Sequence, residues 1–228
     1  MQPYFMPYIG YFQIMNLVDE YVVYDDVTYI KQSRINRNNI LVNNQPKLIN
    51  ISLKEASPNK KINEIELVHD EIFEKKMLRT LQFNYVKAPY FRSAYDLAER
   101  IISNKEANLA LFLFDSLKMI CEYLKINTRL ILSSSIEKDC ALKKEQKIYN
   151  ICEVLHANEY YNSIGGLELY DKNEFEKRKL TLHFLKINED LKYKQFNDEF
   201  VPNLSILDVM MFNSTEKIRE MLNEYTLC

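Results

Sequence analysis

Tryptophan is absent, and 228 residues contain only three glycines, three histidines and four cysteines. Each shortage excludes something. Few histidines and no C-x-x-C pair leave no zinc-ligand pattern. His69, His156 and His183 have no Cys or Ser partner nearby in sequence, so no nucleophilic triad is indicated. Cys121, Cys140, Cys152 and Cys228 are scattered, as free thiols in a reducing cytoplasm are, with Cys121 and Cys152 expected in the core. Charge is nearly balanced, with 30 basic and 32 acidic residues. No general basic field exists to hold nucleic acid, so an anionic ligand needs a local cluster. No apolar run reaches bilayer length and no signal-peptide pattern is present, so membrane insertion is not expected. An apolar content of 47% supports one domain over residues 1–228 with a sizeable core.

The order of patterns gives an α/β class. Gly10 to Val18 reads as a short helix, and "EYVVYDDV" as a strand ending in two carboxylates. "NNILVNNQPKLINISL" is a hairpin signal turning at Asn43-Asn44-Gln45, and "KINEIEL" a further short strand. A central helical block follows. Asp70 caps a helix to about Tyr85, Pro89 opens another to about Ser103, and Leu109, Phe112, Leu113, Leu117, Ile120 and Leu124 stripe a third. "TRLILSS" is then a strand, Lys143 to Leu155 a helix, "EYYNSIGG" and "KLTLHFLKI" strands, and Leu204–Phe212 and Thr215–Tyr225 closing helices. This alternation predicts a mainly parallel sheet with flanking helices and a small β-hairpin insertion. A helix between parallel strands needs a strand before residue 2, so the first strand is expected to be cut short.

Four clusters carry candidate chemistry, each with a plain structural alternative. In "QPYFMPYIGYF", Pro3 and Pro7 stiffen the chain, and Gly10 allows a tight turn into a helix whose first amides lack partners. Tyr4, Tyr8 and Tyr11 can stack on a base or sugar; equally, the loop can be packed on its own aromatics. In "YDDVTYIKQSRINRN", Asp25 and Asp26 end a strand, where parallel sheets bind ligands. Lys31, Arg34 and Arg37, with Asn36 and Asn38, suit a phosphate, or are a self-neutralising surface patch. "YYNSIGGLELYD" offers Asn162 beside Gly165-Gly166, which implies positive φ or a close backbone approach, or only a turn. "YKQFNDEFVPNLSILDV" offers Tyr193 and Gln195. Its Ser205 and Asp208 have the spacing of a capping-box variant, with Asn203 or Ser205 as the cap.

Taken in order, these clusters resemble the WbqC-like family of bacterial proteins. The resemblance rests on Gln2-Pro3-Tyr4, Pro7 and Gly10-Tyr11-Phe12, then Asp25-Asp26, Lys31 and Asn36-Arg37-Asn38. It continues through Tyr85 to Pro89-Tyr90, Gly165-Gly166, Leu169-Tyr170-Asp171, Tyr193 with Gln195, and Leu204-Ser205-Ile206 with Asp208. Two departures stand out. The apolar strand that usually precedes the Gln-Pro is missing, and Ile35 stands where many members have Trp.

The resemblance implies a cytoplasmic part in O-antigen, capsule or related surface-polysaccharide synthesis. The leading expectation is an enzyme acting on a nucleotide-linked amino sugar, by acyl or aminoacyl transfer to its amine. Asp25, Asp26 and Lys31 are its candidate catalytic residues. An Asp deprotonating the amine needs a pKa raised by burial. Gln2, Tyr4, Tyr8, Tyr11, Arg34, Asn36, Arg37, Asn38, Asn162, Gly165, Gly166, Tyr193 and Gln195 are the candidate substrate-binding residues. The four clusters are expected to share one pocket holding the sugar nucleotide or another phosphorylated small molecule. No motif assigns a cofactor or a metal. A nucleotidylyltransferase-like enzyme is an alternative, although Tyr8 and Tyr11 stand where such enzymes carry histidines. A non-catalytic sugar-nucleotide binder is another. A homodimer is the commonest departure from a monomer.

Overall fold

The computed structural model describes residues 1–228. The opening stretch enters α1 (Ile9–Leu17), and the β-branched run becomes β1 (Glu20–Val23), with Tyr21 and Val23 buried. Asn43 and Asn44 adopt φ of 50° and 58° and join β2 (Arg37–Val42) to β3 (Gln45–Asn50). Two consecutive left-handed residues are what a two-residue hairpin requires. Pro46 faces Leu41 across this ladder. The backbone N–H at that position points away from the partner strand, so the proline breaks no rung. A short antiparallel pair, β4 (Leu53–Lys54) and β5 (Glu66–Leu67), leads to the helices.

The helical block lies where the apolar period places it. Asp70 Oδ1 accepts from the Ile72 and Phe73 amides and starts α2 (Glu71–Tyr85). Next come α3 (Phe91–Ile102) and α4 (Leu109–Leu124). The six apolar stripe residues of α4 are all buried at 2% exposure or less. The remainder is β6 (Arg129–Leu132), α5 (Lys144–Val154), β7 (Glu159–Ser163), α6 (Lys172–Glu176), β8 (Thr181–Ile187), α7 (Ile206–Phe212), α8 (Thr215–Met221) and β9 (Tyr225–Leu227). α3 packs on α2, α4 and α7 around the main core. Tyr149, Cys152, Phe175, Leu180, Leu182 and Phe184 form a smaller core beneath α5 and α6.

The class is mixed α/β, but the mainly parallel sheet is replaced by small pieces. β1 pairs with β6 and β7 with β8 in parallel; β9 adds to β8 antiparallel. The two parallel pairs belong to separate sheets; beside β1, the Met1 nitrogen donates to Val22 O and Tyr24 N donates to Met1 O, each at 2.8 Å. The last predicted helix also stops early, at Met221, and the final residues form β9 instead. A three-residue strand is too short to show alternation.

Gly10 does not form a turn before the helix. It lies within α1, where a Cβ would stand 2.1 Å from Ile187 Cδ1, so the glycine serves close packing on β8. Cys121 and Cys152 are buried and Cys140 and Cys228 exposed, all four as free thiols. No helix is long and apolar enough to cross a membrane.

Candidate functional site

The opening loop is stitched to two other segments by its own backbone. Met6, at φ 43°, turns its carbonyl toward Asn38 Nδ2 (2.7 Å) and Ser205 Oγ (2.7 Å). Asn38 Nδ2 also donates to Phe5 O, Phe5 N to Arg34 O, and Ile206 N to Pro7 O. Ser205 N donates to Asn39 O, covering the outer edge of β2. Asn36 accepts from Tyr29 Oη and donates to Ile51 O. Arg37 donates through Nε to Ser33 O, and Arg34 is exposed with one long bond to Asn38. Lys31 is exposed and makes no ion pair. Tyr11 Oη donates to Gln2 O, and the Tyr11 ring packs at a tilt against Tyr4 and Tyr21, with ring centres 5.6 and 5.5 Å away. Tyr8 precedes α1 without capping it.

Tyr193 and Gln195 lie in a different network. Asp208 is fully buried and accepts from Tyr85 Oη (2.7 Å), Tyr193 Oη (2.6 Å) and Gln195 Nε2 (2.8 Å). Gln195 also bonds Val201 in both directions. Burial drives the Asp208 carboxyl above its ordinary pKa, partly countered by Tyr193, Tyr85 and Gln195. Ser205 alone caps α7, through the Leu207 amide, since the Asp208 carboxylate is committed to these three donors.

The sheet ends hold a third group. Asp25 is 1% exposed; its carboxylate accepts from Ser134 N (2.9 Å) and Asn63 Nδ2 (3.3 Å), clasping the ends of β1 and β6. Asp26 Oδ2 meets Lys147 Nζ at 2.9 Å and Lys138 Nζ at 3.1 Å. The Lys138 side chain is only 2% exposed and also donates to Ser133 O. Lys147 rises from α5, donates to Asp26 O, and lies 4.8 Å from the centre of the Tyr24 ring. Burial pushes the Asp26 carboxyl upward, but Lys147, Ser133 and Lys138 outweigh it and hold its pKa below the ordinary value. Two cations therefore face one carboxylate in a poorly hydrated place. Asp26 Oδ1 and Ser133 Oγ are both enclosed and make no well-formed hydrogen bond to other groups; the Ser133 hydroxyl is close enough to the carboxylate to help hold its pKa down.

The glycine loop adjoins this group through tyrosines. Gly166 has no positive φ; its value is close approach, because a Cβ there would stand 3.0 Å from Asn162 Nδ2 and 3.4 Å from Tyr170 Cε2. Gly165 is exposed with open space around it. Asn162 Nδ2 reaches Tyr160 Oη at 3.4 Å. The Tyr24 phenol is pushed up to about 12 by burial, with Asp26 and then Tyr170 adding to it. Met1 O holds the Tyr24 amide, so Gln2 leaves the sheet at the same end.

Hydrogen bonding thus gathers the predicted residues into three groups: the stitched loop, the Asp208 network, and the Asp26 group with its glycine-loop neighbour. Ser133, Lys138, Lys147 and Tyr24 are not among the candidate residues read from the sequence, and Tyr170 enters there only as part of the family pattern Leu169-Tyr170-Asp171. One signal was available for Ser133: "TRLILSS" reads as a strand, and its carboxyl end is as good a ligand position as that of β1. The lysines carry no motif.

The segments that Met6, Asn38 and Ser205 knit together have a counterpart in known proteins. A model described as the WbqC-like protein family matches residues 2–220. The chain belongs to that family. One relative, "Uncharacterized protein Rv1507c" of Mycobacterium tuberculosis, is 31% identical over 215 residues, covering 93% of this chain and 91% of its own length. No solved structure matches.

Proposed function

We propose that this WbqC-like protein binds a nucleotide-linked amino sugar at the carboxyl ends of β1 and β6 and transfers an acyl or aminoacyl group to its amine. The observation that carries the reading is the Asp26 group: two nearly buried lysines on one carboxylate at the end of a parallel strand. The excess cation suits a diphosphate, which would draw Lys138 and Lys147 partly away from Asp26. Tyr24 and Tyr170 offer ring faces to the sugar or base. In the transfer, the amine nitrogen attacks the acyl carbonyl, the carbon–nitrogen bond forms, the bond to the donor's leaving group breaks, and the amine loses one proton.

Asp26 has a narrower part in this than a burial-raised general base. Its lowered pKa makes it a weak proton acceptor, so it orients the amine and leaves the proton to the departing donor group or to water. A surface-polysaccharide pathway is the context the family resemblance suggests for such a substrate.

The test is titration calorimetry with uridine diphosphate as the probe, followed by loss of free amine from a nucleotide-linked amino sugar offered with acyl-thioester and aminoacyl donors. Lys138→Met and Lys147→Met should each weaken diphosphate binding about tenfold or more. Binding unchanged in both variants would remove the site. Diphosphate binding without amide formation with any donor would leave a sugar-nucleotide binder in place of the transferase.

A further inference from the structure

A groove of about 700 Å³ runs between the outer face of α2 and the tip of the β2–β3 hairpin, and contains none of the Asp26 group. On α2, Ile72, Lys76, Arg79 and Phe83 follow at spacings of four, three and four, which places them on one stripe. The core has no use for this stripe, since α2 buries the opposite one, through Met77, Leu81 and Tyr85. Ile72 is 80% and Phe83 81% exposed. Val42 and Lys47 stand on the hairpin wall facing them.

Charge distinguishes this groove from an ordinary solvated helix face. Acids outnumber bases in the chain as a whole, yet no carboxylate lines the groove. Lys47, Lys76 and Arg79 make no ion pair; Lys75 alone reaches a carboxylate, Glu71 at 3.2 Å outside the groove. Unpaired cations between two exposed apolar side chains match a ligand of opposite charge and the same apolar spacing. Eleven helical residues separate Ile72 from Phe83, about 16 Å.

We infer that this groove docks an acidic, amphipathic segment of another protein. The segment carries two apolar anchors about 16 Å apart, which seat on Ile72 and Phe83, and carboxylates between them, which meet Lys76, Arg79 and Lys47. An anionic bilayer is the lesser fit, because the cations line both walls of a concavity and a bilayer surface is flat. The groove shares no lining residue with the Asp26 group.

The test places the photo-crosslinker benzoylphenylalanine at position 83 of the full chain in cells. A discrete protein adduct is expected, and its cross-linked peptide carries an excess of Asp and Glu. Lys76→Glu with Arg79→Glu should abolish the adduct while leaving the thermal melting curve unchanged, since both side chains are outside the core. A synthetic copy of the cross-linked peptide should bind the unmodified chain at low salt, and about tenfold or more weakly after the charge reversal. No adduct, an adduct that survives the reversal, or a cross-linked peptide without acidic excess would overturn the proposal. So would cosedimentation with phosphatidylglycerol vesicles in place of an adduct, a nuclease-sensitive adduct, or one formed with a second copy of this chain.

Discussion

Tyr85 and Asp208, 123 residues apart, share a buried 2.7 Å hydrogen bond whose direction is fixed by a third group. The Leu41 amide donates to the Tyr85 hydroxyl oxygen at 2.7 Å, so the phenolic proton goes to the carboxylate. β2, α2 and α7 are thereby joined in one line. Tyr85→Phe strands both the Leu41 N–H and one Asp208 oxygen, and should cost on the order of 3 kcal/mol. Tyr193→Phe removes one donor from an Asp208 oxygen that Gln195 still serves, and should cost about 1 kcal/mol. Urea unfolding of the two variants compares them directly; equal losses would mean that the line through Tyr85 is no more than a sum of separate contacts.

The same carboxylate sets one pH dependence. The Asp208 pKa is raised in the folded chain, so the folded state binds the extra proton. Stability from this group falls as pH rises from the unfolded carboxyl value toward the folded one. Asp26 acts oppositely: its folded pKa is lowered, so its contribution is present above the unfolded value and is lost as pH falls through the folded one. Asp26→Asn should flatten the acid side of a stability–pH curve, and Asp208→Asn should remove the decline above it. Curves unchanged by either substitution would contradict these assignments.

The two neighbouring glycines are not equivalent. Gly166→Ala drives a methyl group to 3.0 Å from Asn162 Nδ2 and 3.2 Å from its Cγ, so Asn162 must shift. Gly165→Ala meets nothing nearer than Ser163 Oγ at 3.9 Å. Neither has a positive φ. The expected result is a lowered melting temperature, and weaker diphosphate binding, for Gly166→Ala, with Gly165→Ala close to the parent. Near-identical behaviour of the pair would show that the loop yields without consequence.

Thiol reactivity separates the cysteines into two pairs. Burial pushes Cys121 up to about 12 and Cys152 up to about 11, while Cys140 and Cys228 are exposed. A native-state titration with an aromatic disulfide reagent at neutral pH should register two rapid equivalents, and the other two only on denaturation. Four rapid equivalents would mean that the cores around α4 and α5 open readily.

The helical block was legible because its signals are local. Asp70 caps, Asn43-Asn44 turns, and the Leu109–Leu124 stripe repeats at helical spacing, each within a few residues. The sheet was not, because strand neighbours are decided by distant segments: β1 pairs with β6, Glu20 opposite Arg129. At the candidate site, Asp26 was visible as a carboxylate ending a strand. Its partners Lys138 and Lys147 come from a loop and a helix more than a hundred residues later, with no motif to mark them. Asn38 stood out beside Lys31, Arg34 and Arg37, and Tyr193 and Gln195 ahead of a proline-marked turn. The structure shows a reason internal to the fold: each completes a hydrogen-bond network inside it.

The carbonyl of Met6 has a consequence for the order in which the chain comes together. One of its two donors, Ser205, lies 199 residues away, and Gln13 in α1 reaches Met221 and Glu224 across 208 and 211 residues. During synthesis the first segment emerges long before these partners exist. Contacts of such separation also form slowly once the chain is free. Residues 6–13 are therefore among the last to settle, and a nascent chain that has not yet reached Ser205 leaves this stretch without those partners until α7 and α8 are made.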